Sequence, residues 1–209
     1  MTKDVGARPL PQTDRGRETR QKLLDAAESI FGSLGFHEAS VTQIVGAAGV
    51  GQGTFYLYFG QKRDIFVALV DHLAKSLRHD LSRAISGLKT REEVERAGFK
   101  AFFAFVARHP MLYRIVRQAE FVDEEAFRAY YRTLARGYRR GLEAAMAQGE
   151  FRHLDAEALS YALMGIADFV GMRYVLWQDP GTVPAAVTED LMHFILEGLR
   201  AVPTGQVPS

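Results

Sequence analysis

Five side chains between residues 52 and 62 have the chemistry to contact bases and phosphates from an exposed helix face. The amide of Gln52 can bond in a bidentate way to adenine, and Thr54 offers a methyl and a hydroxyl group to a base edge. The hydroxyls of Tyr56 and Tyr58 are phosphate donors, and Lys62 adds positive charge at a helix start. We interpret these residues as a DNA-contacting surface.

Glycines and apolar residues predict the two short helices that carry this surface. Gly49 ends the first of them, and a short turn follows. Phe55 and Phe59 are four residues apart, so both point inward from the next helix and leave the polar side chains outside. Gly53 allows the backbone to approach a DNA duplex closely. The arrangement is that of a helix-turn-helix.

A longer helix precedes this pair. Apolar residues at helical spacing predict it over about 18–34, with Gly35 as a stop and Phe36 as an apolar anchor. Ser40 and Gln43 have the spacing of a capping box at the start of the second helix. Together these signals predict three helices in the first 61 residues.

Residues at the starts of the first two helices extend the predicted DNA surface. Arg17, Thr19 and Arg20 begin the first helix, and Ser40 and Thr42 begin the second. All five have groups that suit contacts with the DNA backbone. The alternative is a small helical domain with solvated polar residues, which does not explain two outward tyrosines on adjacent turns.

The segment from about Thr19 to Leu69 resembles the DNA-binding domain of TetR-family transcriptional regulators. The resemblance rests on the order and spacing of Ile44, Ala48, Gly49, Val50, Gly53, Thr54, Tyr56, Tyr58, Phe59 and Lys62. It implies that the third helix faces DNA, that the fourth helix connects to a ligand-binding domain, and that the protein is a helical homodimer.

Two residues depart from the family pattern. Gly51 replaces the common serine cap of the third helix, so the start of that helix is less firmly fixed, although glycine is tolerated as an N-cap. Gln52 replaces a common basic residue, which shifts the emphasis from phosphate attraction to base reading.

The remaining chain keeps a helical pattern, and the predicted class is all-α. The further helices are expected at about 62–86, 90–107, 110–121, 123–148, 155–178 and 184–200. Breaks are expected at Gly87, His109-Pro110, Gly149 and Asp179-Pro180-Gly181. The predicted organisation is a flexible arm over 1–16, a helix-turn-helix domain over 17–61, a ligand-binding and dimerisation domain over 62–202 and a flexible tail over 203–209.

Composition limits the possible classes of function. The 209 residues carry a net charge of +1, which predicts modest non-specific affinity for DNA and reliance on well-placed contacts. The absence of cysteine excludes disulfides, thiol chemistry and zinc fingers. The N-terminal segment lacks the apolar run of a signal peptide, so we expect a cytoplasmic protein.

The stretch 158–177 is apolar on nearly all sides. Its length would suit a membrane span, but Asp168 and Arg173 would be costly in lipid, so no membrane association is expected. Burial on two sides explains the stretch better, with one side against its own domain and the other against a second copy. The resemblance implies that a homodimer forms through about 155–178 and 184–200.

The resemblance also implies a small-molecule site in the second domain. The candidates are Phe102, Phe103, Tyr113, Phe121, Tyr131, Arg132, Tyr138, Phe169, Arg173 and Trp177. The alternative for the aromatic members is ordinary core packing. Their density favours a large apolar ligand. Asp168 and Arg173 either pair with neighbouring residues or bind a polar group of the ligand.

A row of arginines marks one predicted helix. Arg128, Arg132, Arg136 and Arg140 recur every four residues, with Arg139 beside them. A solvated face relieved by nearby glutamates is one explanation. The other is an anion site, because guanidinium groups match phosphate geometry. Several members of the resembled family respond to acyl-CoA compounds, so the preferred effector is an acyl-CoA, with a hydrophobic drug or aromatic acid as the alternative.

Catalytic motifs provide no support for an enzyme. The chain has no phosphate-binding glycine loop, no metalloprotease motif and no nucleophile elbow, and its six histidines are dispersed. We therefore expect no metal and no cofactor. The predicted function is a repressor that binds a palindromic operator as a homodimer and is released by an effector. The alternative is a helical small-molecule-binding protein or enzyme without operator-specific DNA binding.

Overall fold

A computed structural model, which describes residues 11–178 and 181–201, shows a helical protein. Within those ranges no β-strand is present, and one isolated bridge joins Phe151 to Arg200. The all-α prediction is confirmed. The nine α-helices in the described ranges are α1 Asp14–Glu38, α2 Val41–Ala48, α3 Gln52–Tyr58, α4 Lys62–Ile85, α5 Arg91–Arg108, α6 Leu112–Val122, α7 Glu124–Ala147, α8 Ala156–Gly171 and α9 Ala185–Leu199.

Helix bounds differ from the sequence prediction mainly in α1 and α8. Helix α1 begins at Asp14, inside the expected arm, because the Thr13 side chain accepts a hydrogen bond from the Gly16 amide at 3.1 Å. At Gly35 the backbone leaves the helical conformation, with φ 82° and ψ 162°, as expected of the predicted stop, and a second short helical segment then runs to Glu38. The long helix expected over 155–178 is α8 followed by a π-helical turn, Met172–Leu176.

Some sequence expectations lie outside the described residues. These are the first ten residues of the expected arm over 1–16, residues 179 and 180 of the expected break, the last position of the domain over 62–202, and the tail over 203–209.

The first compact unit includes the chain up to Lys75 and the segment Met111–Tyr130. Its apolar centre contains Phe31 and Phe66, whose ring centroids are 5.1 Å apart in an edge-on arrangement. Both rings are fully buried, as is Phe55 of α3. Helix α1 contacts both α2 and α6 in this unit. The three N-terminal helices are therefore held by a core that also includes residues far along the chain.

The second compact unit includes Ser76–Pro110 and the chain from Tyr131 onward. Its core consists of apolar residues on α5, α7, α8 and α9, where α5 contacts both α8 and α9. The fully or nearly fully buried members include Leu142, Leu163, Met192 and Leu196. A buried polar group, Glu95, lies in the same unit, with 2% of its surface exposed.

The compact units divide the chain differently from the expected functional domains. Helix α6 belongs with α1, while α4 and α7 each begin in the first unit and end in the second. The boundary between residues 61 and 62 separates a DNA-binding domain from a ligand-binding domain by their expected functions, and it stays a prediction. The ligand-binding part expected over 62–202 is thus shared between both compact units.

One helix in the described ranges, Ala156–Leu176, is long and apolar enough to cross a membrane by length and composition, and 33% of its apolar window is buried. Asp168 and Arg173 lie within it. Large apolar side chains on this helix, among them Phe169, remain exposed. The helix therefore presents an apolar face with no covering element in the described single chain.

Candidate nucleic-acid interface and effector cavity

Local hydrogen bonds fix helix α2 at both ends. The Ser40 hydroxyl accepts from the Gln43 amide at 3.2 Å, and the Gln43 side chain accepts from the Ser40 amide at 2.8 Å. The predicted capping box is therefore confirmed. Gly49 ends the helix in the left-handed conformation at φ 66°, where a side chain would be strained. The turn into α3 therefore begins at Gly49 and ends at Gly51, the N-cap of α3.

Helix α3 has one buried face and one outward face. Phe55 is fully buried and Phe59 is 4% exposed, as their spacing predicts. On the other side Gln52 and Gly53 are exposed, and Tyr56 is 42% exposed. The Gly51 N-cap makes no side-chain hydrogen bond, in agreement with the expectation from its residue type.

Thr54 and Tyr58 lie at the edges of the outward face. Both are half-buried, so each presents only part of its side chain to a DNA duplex. A Cβ added at Gly16 would lie 3.6 Å from the Tyr58 hydroxyl. The hydroxyl of Tyr58 therefore lies beside the start of α1, where the predicted backbone-contacting residues also lie.

The α1 candidates are partly engaged within their own helix. Arg17 forms an ion pair with Asp14 and donates to the Gln12 carbonyl at 2.7 Å, while the Thr19 hydroxyl donates to the Arg15 carbonyl at 2.8 Å. The Arg17 side chain is still more than half exposed, so its guanidinium remains reachable.

Arg20 lies against the aromatic core of the helix-turn-helix. Its guanidinium carbon is 5.5 Å from the centre of the Phe59 ring. Burial lowers the pKa of Arg20 from its ordinary value, and the nearby Asp71 opposes that change. Arg20 of α1 therefore contacts Phe59, the residue that ends α3, and keeps a charged group near the candidate interface.

Lys62 is engaged differently from the phosphate contact that we expected. Its ammonium donates to the carbonyls of Phe36, His37 and Ala39 at 2.6, 3.0 and 2.6 Å. These bonds use all three donors of the ammonium group. The nitrogen also lies 4.6 Å from the centre of the Phe36 ring. Lys62 thus fastens the start of α4 to the end of α1.

The two DNA-contact candidates at the start of α2 differ in how free their hydroxyls are. The Ser40 hydroxyl is occupied by the capping box, whereas Thr42 is exposed on the first turn of α2. Thr42 therefore has its hydroxyl at the protein surface, and Ser40 acts mainly by holding the helix start in place.

The predicted effector residues do not form one group. Tyr113 and Phe121 belong to the first compact unit, where Tyr113 is buried and Phe121 is 87% exposed. In the second unit, Phe103 is in the core, and Phe102 and Tyr131 are half-buried. The exposed candidates of that unit are Arg132, Phe169, Arg173 and Trp177.

Tyr138 is the effector candidate with the strongest polar contacts. Its hydroxyl donates to Glu95 at 2.5 Å, and the same carboxylate forms an ion pair with Arg91 at 2.6 Å. Burial, followed by the negative charge of Glu95, raises the pKa of the Tyr138 hydroxyl well above its ordinary value. The phenol therefore stays neutral and donates to the carboxylate.

A cavity of about 200 Å³ opens between α7 and α8 in the second unit. Arg132, Arg136 and Arg139 line it, together with Ala135, Glu157, Ser160 and Tyr161. Its charged lining is three guanidinium groups against one carboxylate. Typical small-molecule sites occupy about 300–1,000 Å³. This cavity therefore suits an anionic group the size of one or two phosphates.

Ion pairs only partly satisfy the arginines of this cavity. Arg139 lies 3.4 Å from Glu143 and 3.7 Å from Glu157, and both pairs are substantially exposed. Arg136 makes no hydrogen bond or ion pair within the described residues. The one carboxylate of the lining, Glu157, lies near Arg139, so the Arg136 guanidinium can donate to an anion that enters from solution.

The comparisons with known proteins agree with the geometry of α2 and α3. The family model described as bacterial regulatory proteins of the tetR family matches residues 23–69. The uncharacterized HTH-type transcriptional regulator YdgC of Bacillus subtilis (strain 168) is 31% identical over 189 residues, which cover 87% of this chain and 95% of that protein. The chain belongs to the TetR family of transcriptional regulators.

Solved structures share the fold of this TetR-family regulator. The fatty acid degradation regulator FadR from Bacillus halodurans aligns with a TM-score of 0.78 at 22% identity, over 88% of this chain and 97% of that one. The regulator FadR from Bacillus subtilis, in complex with stearoyl-CoA, aligns with a TM-score of 0.76 at 21% identity, over 85% and 98% of the two chains. These alignments show the shared fold, while the family match and the similarity to YdgC identify the chain as a helix-turn-helix transcriptional regulator.

Two groups of residues at these sites were not predicted from the sequence. Leu57 is 69% exposed on the outward face of α3, a position that counting around the helix could have shown. Ser160 and Tyr161 of α8 line the arginine cavity, which no pattern in α7 reveals. The arginine row itself was visible, but only three of its five members line the cavity.

Proposed function

We propose that this TetR-family regulator is a repressor that binds a palindromic DNA operator as a homodimer and that an acyl-CoA releases it. The observation that carries the DNA-binding part is helix α3. Two buried phenylalanines anchor it, and its polar side chains face outward from a capped and glycine-terminated α2. Family membership supports the same conclusion.

The proposed DNA contacts divide into base reading and backbone binding. Gln52 and Thr54 are at the start of α3, where base edges would be reached. Backbone contacts come from residues at the starts of the neighbouring helices and from the tyrosines of α3, namely Arg17, Thr19, Arg20, Thr42, Tyr56 and Tyr58. Ser40 and Lys62 hold the helices that present these groups.

The proposed dimer forms through α8 and α9, corresponding to the expected 155–178 and 184–200. Phe169 and Trp177 are 61% and 58% exposed, and Phe194 of α9 is 69% exposed. Gly165 has open space where a side chain would begin, which allows close helix approach. A second copy would bury this apolar face. In a dimer, two α3 helices would enter major grooves about 34–36 Å apart.

The proposed effector site uses the arginine cavity for phosphate groups. Arg132, Arg136 and Arg139 provide the charge, and the neighbouring apolar core of the second unit suits an acyl chain. Among structures with the same fold, the Bacillus subtilis FadR is a complex with stearoyl-CoA, which supports the proposed ligand class. Phe102, Phe103 and Tyr138 are the proposed acyl-chain contacts.

Effector and operator would compete through two conformations of the dimer. Helix α4 begins next to the helix-turn-helix and ends in the second unit, so a shift of α4 would change the separation of the α3 helices. An effector that binds better to a dimer whose α3 separation does not match the operator must lower the operator affinity. By thermodynamic linkage, bound DNA lowers the effector affinity by the same factor. The proposed role needs no catalysis and places the protein in the cytoplasm, with its DNA.

The first test is an operator-binding titration. Labelled DNA from upstream of the protein's own gene, or from an unbiased selection, is titrated with protein and then with stearoyl-CoA, while fluorescence anisotropy is followed. We expect tight, salt-sensitive binding that stearoyl-CoA reverses. Arg136→Gln should leave operator affinity unchanged and raise the stearoyl-CoA concentration needed for release about tenfold or more.

A matched control lies on the same arginine row. Arg128 pairs with Glu124 and does not line the cavity, so Arg128→Gln should leave release unchanged. Equal effects of both substitutions would reject the cavity as the phosphate site. Binding that stearoyl-CoA never reverses would reject the effector, and failure to select any operator would reject the regulator as proposed.

A further inference from the structure

The most outward side chain of α3 is apolar. Leu57 is 69% exposed, more than its neighbour Tyr56 at 42%. At about 100° per residue, Leu57 lies about 180° around the helix from the mean direction of the buried Phe55 and Phe59. It therefore occupies the centre of the face that α3 turns away from its own core.

The surroundings of Leu57 leave its side chain open to a partner. Gly53 lies one turn earlier on the same side of α3, and a Cβ added there would meet no atom within 4 Å. A duplex can thus approach the backbone at Gly53 and reach the leucine beside it. Single exposed leucines are common on protein surfaces. Leu57 differs from them because it lies at the centre of the outward face of α3, the helix that we propose contacts DNA.

An apolar side chain in a major groove can distinguish only certain bases. The groove edges of guanine, cytosine and adenine present hydrogen-bonding atoms, which leucine cannot satisfy. Thymine alone presents a C5-methyl group there, and contact with it buries apolar surface on both sides. Leucine opposite another base would strip water from polar atoms without replacing their hydrogen bonds.

We propose that Leu57 is a specificity-determining residue that reads a thymine in each operator half-site through the C5-methyl group. This inference rests on the proposed operator binding and adds a base preference to it. It predicts a fixed A·T pair in each α3 contact, with the thymine methyl against Leu57 and the side chains of Thr54 and Tyr56 on either side of the leucine around the helix.

The test uses the intact protein and an operator obtained by unbiased selection. Each thymine of the half-site is replaced in turn by deoxyuridine, which lacks the C5-methyl group and keeps the hydrogen-bonding atoms. For the unsubstituted protein, one replacement should weaken binding roughly fourfold, and the symmetric pair of replacements roughly fifteenfold. Leu57→Ala should bind the thymine and deoxyuridine operators almost equally at that position.

Leu34→Ala is the matched control, because Leu34 is an exposed leucine, 44% accessible, on α1 of the same compact unit. It should keep the full deoxyuridine effect. A half-site with no fixed thymine, a wild-type protein indifferent to every deoxyuridine, or the same loss in Leu57→Ala as in wild type would each overturn the inference while leaving operator binding intact. Selection of no operator at all would instead reject the proposed function and this inference together.

Discussion

At the scale of single residues, Lys62 combines charge, hydrogen bonding and an aromatic contact inside the first compact unit. Its three carbonyl acceptors come from the last turn of α1 and the residue that follows it. Carbonyls at the end of a helix lack partners in the helix itself, so a cation placed there satisfies them and interacts favourably with the helix dipole.

We expect Lys62→Met to lower the free energy of unfolding by about 2–3 kcal/mol, because the carbonyls lose charge-assisted hydrogen bonds. Urea denaturation measures the change. Lys75→Met is the control, since its ion pair with Asp71 is exposed and should contribute about 0.5 kcal/mol or less. Unchanged stability with lost operator affinity would instead identify Lys62 as a phosphate contact.

Tyr138 offers a pH test of the buried polar group in the second unit. The folded protein raises the pKa of its hydroxyl, mainly by burial and further by Glu95. The folded protein thus favours the neutral phenol. The stability that this preference contributes is fully present below the ordinary tyrosine pKa of 10.0, and it is lost as the pH rises through the raised pKa of the folded protein.

The measurement for Tyr138 is the ultraviolet absorbance of tyrosinate during an alkaline titration. Wild type and Tyr138→Phe should gain the same absorbance up to about pH 11, because Tyr138 does not ionise in the folded protein over that range. A smaller gain in the variant, equal to one of the eight tyrosines, would show that Tyr138 ionises normally.

At the scale of helices, the packing of α1 against α6 depends on a missing side chain. A Cβ added at Gly32 would lie 2.4 Å from both Cβ and Cγ of Met111, the residue that precedes α6. Since a Cβ atom cannot move without its backbone, a side chain at position 32 would push the two segments apart.

Gly32→Ala should therefore destabilise the protein by about 1–3 kcal/mol, as measured by thermal or urea denaturation. Gly46→Ala serves as the comparison, because its Cβ would meet nothing within 4 Å and alanine favours the helical conformation of α2. Gly46→Ala should keep or raise stability. Loss of similar size in both variants would contradict the packing argument.

Sequence reasoning succeeded best at this scale. The capping box of Ser40 and Gln43, the left-handed Gly49 and the buried pair Phe55 and Phe59 were all predicted from local spacing. The break at Gly35, where φ is 82°, was predicted as well. The short helical segment that follows it to Glu38 and the π-helical turn Met172–Leu176 were not predicted. The positive φ of Gly35 follows from its residue type, whereas the helical periodicity of residues 172–176 does not distinguish a π-helical turn from an α-helical one.

At the scale of the whole molecule, the apolar surface of α8 and α9 supports the proposed dimer. Phe169 and Phe194 are 61% and 69% exposed, and a second copy is the proposed cover. The proposed dimer would also set the operator affinity, since two linked half-site contacts bind far more tightly than one.

Phe169→Glu together with Phe194→Glu should give a folded monomer, because the charges would be buried without partners in the dimer. Size-exclusion chromatography with light scattering measures the mass, and operator affinity should fall about a hundredfold or more. Phe121→Glu, at an 87% exposed position on α6, should leave the dimer intact. A dimer that survives the double substitution would reject α8 and α9 as its interface.

Local sequence determined the helix-turn-helix, since caps, glycine conformations and helical periodicity involve residues within a few positions of one another. Only the tertiary structure shows which groups Lys62 and the arginine row lie against. The acceptors of Lys62 lie 23 to 26 residues earlier in the chain, and Arg132 and Arg136 meet Ser160 and Tyr161 only because α7 and α8 lie side by side. Contacts between residues so far apart in the chain follow from the packing of helices, and spacing rules within a single helix cannot predict them.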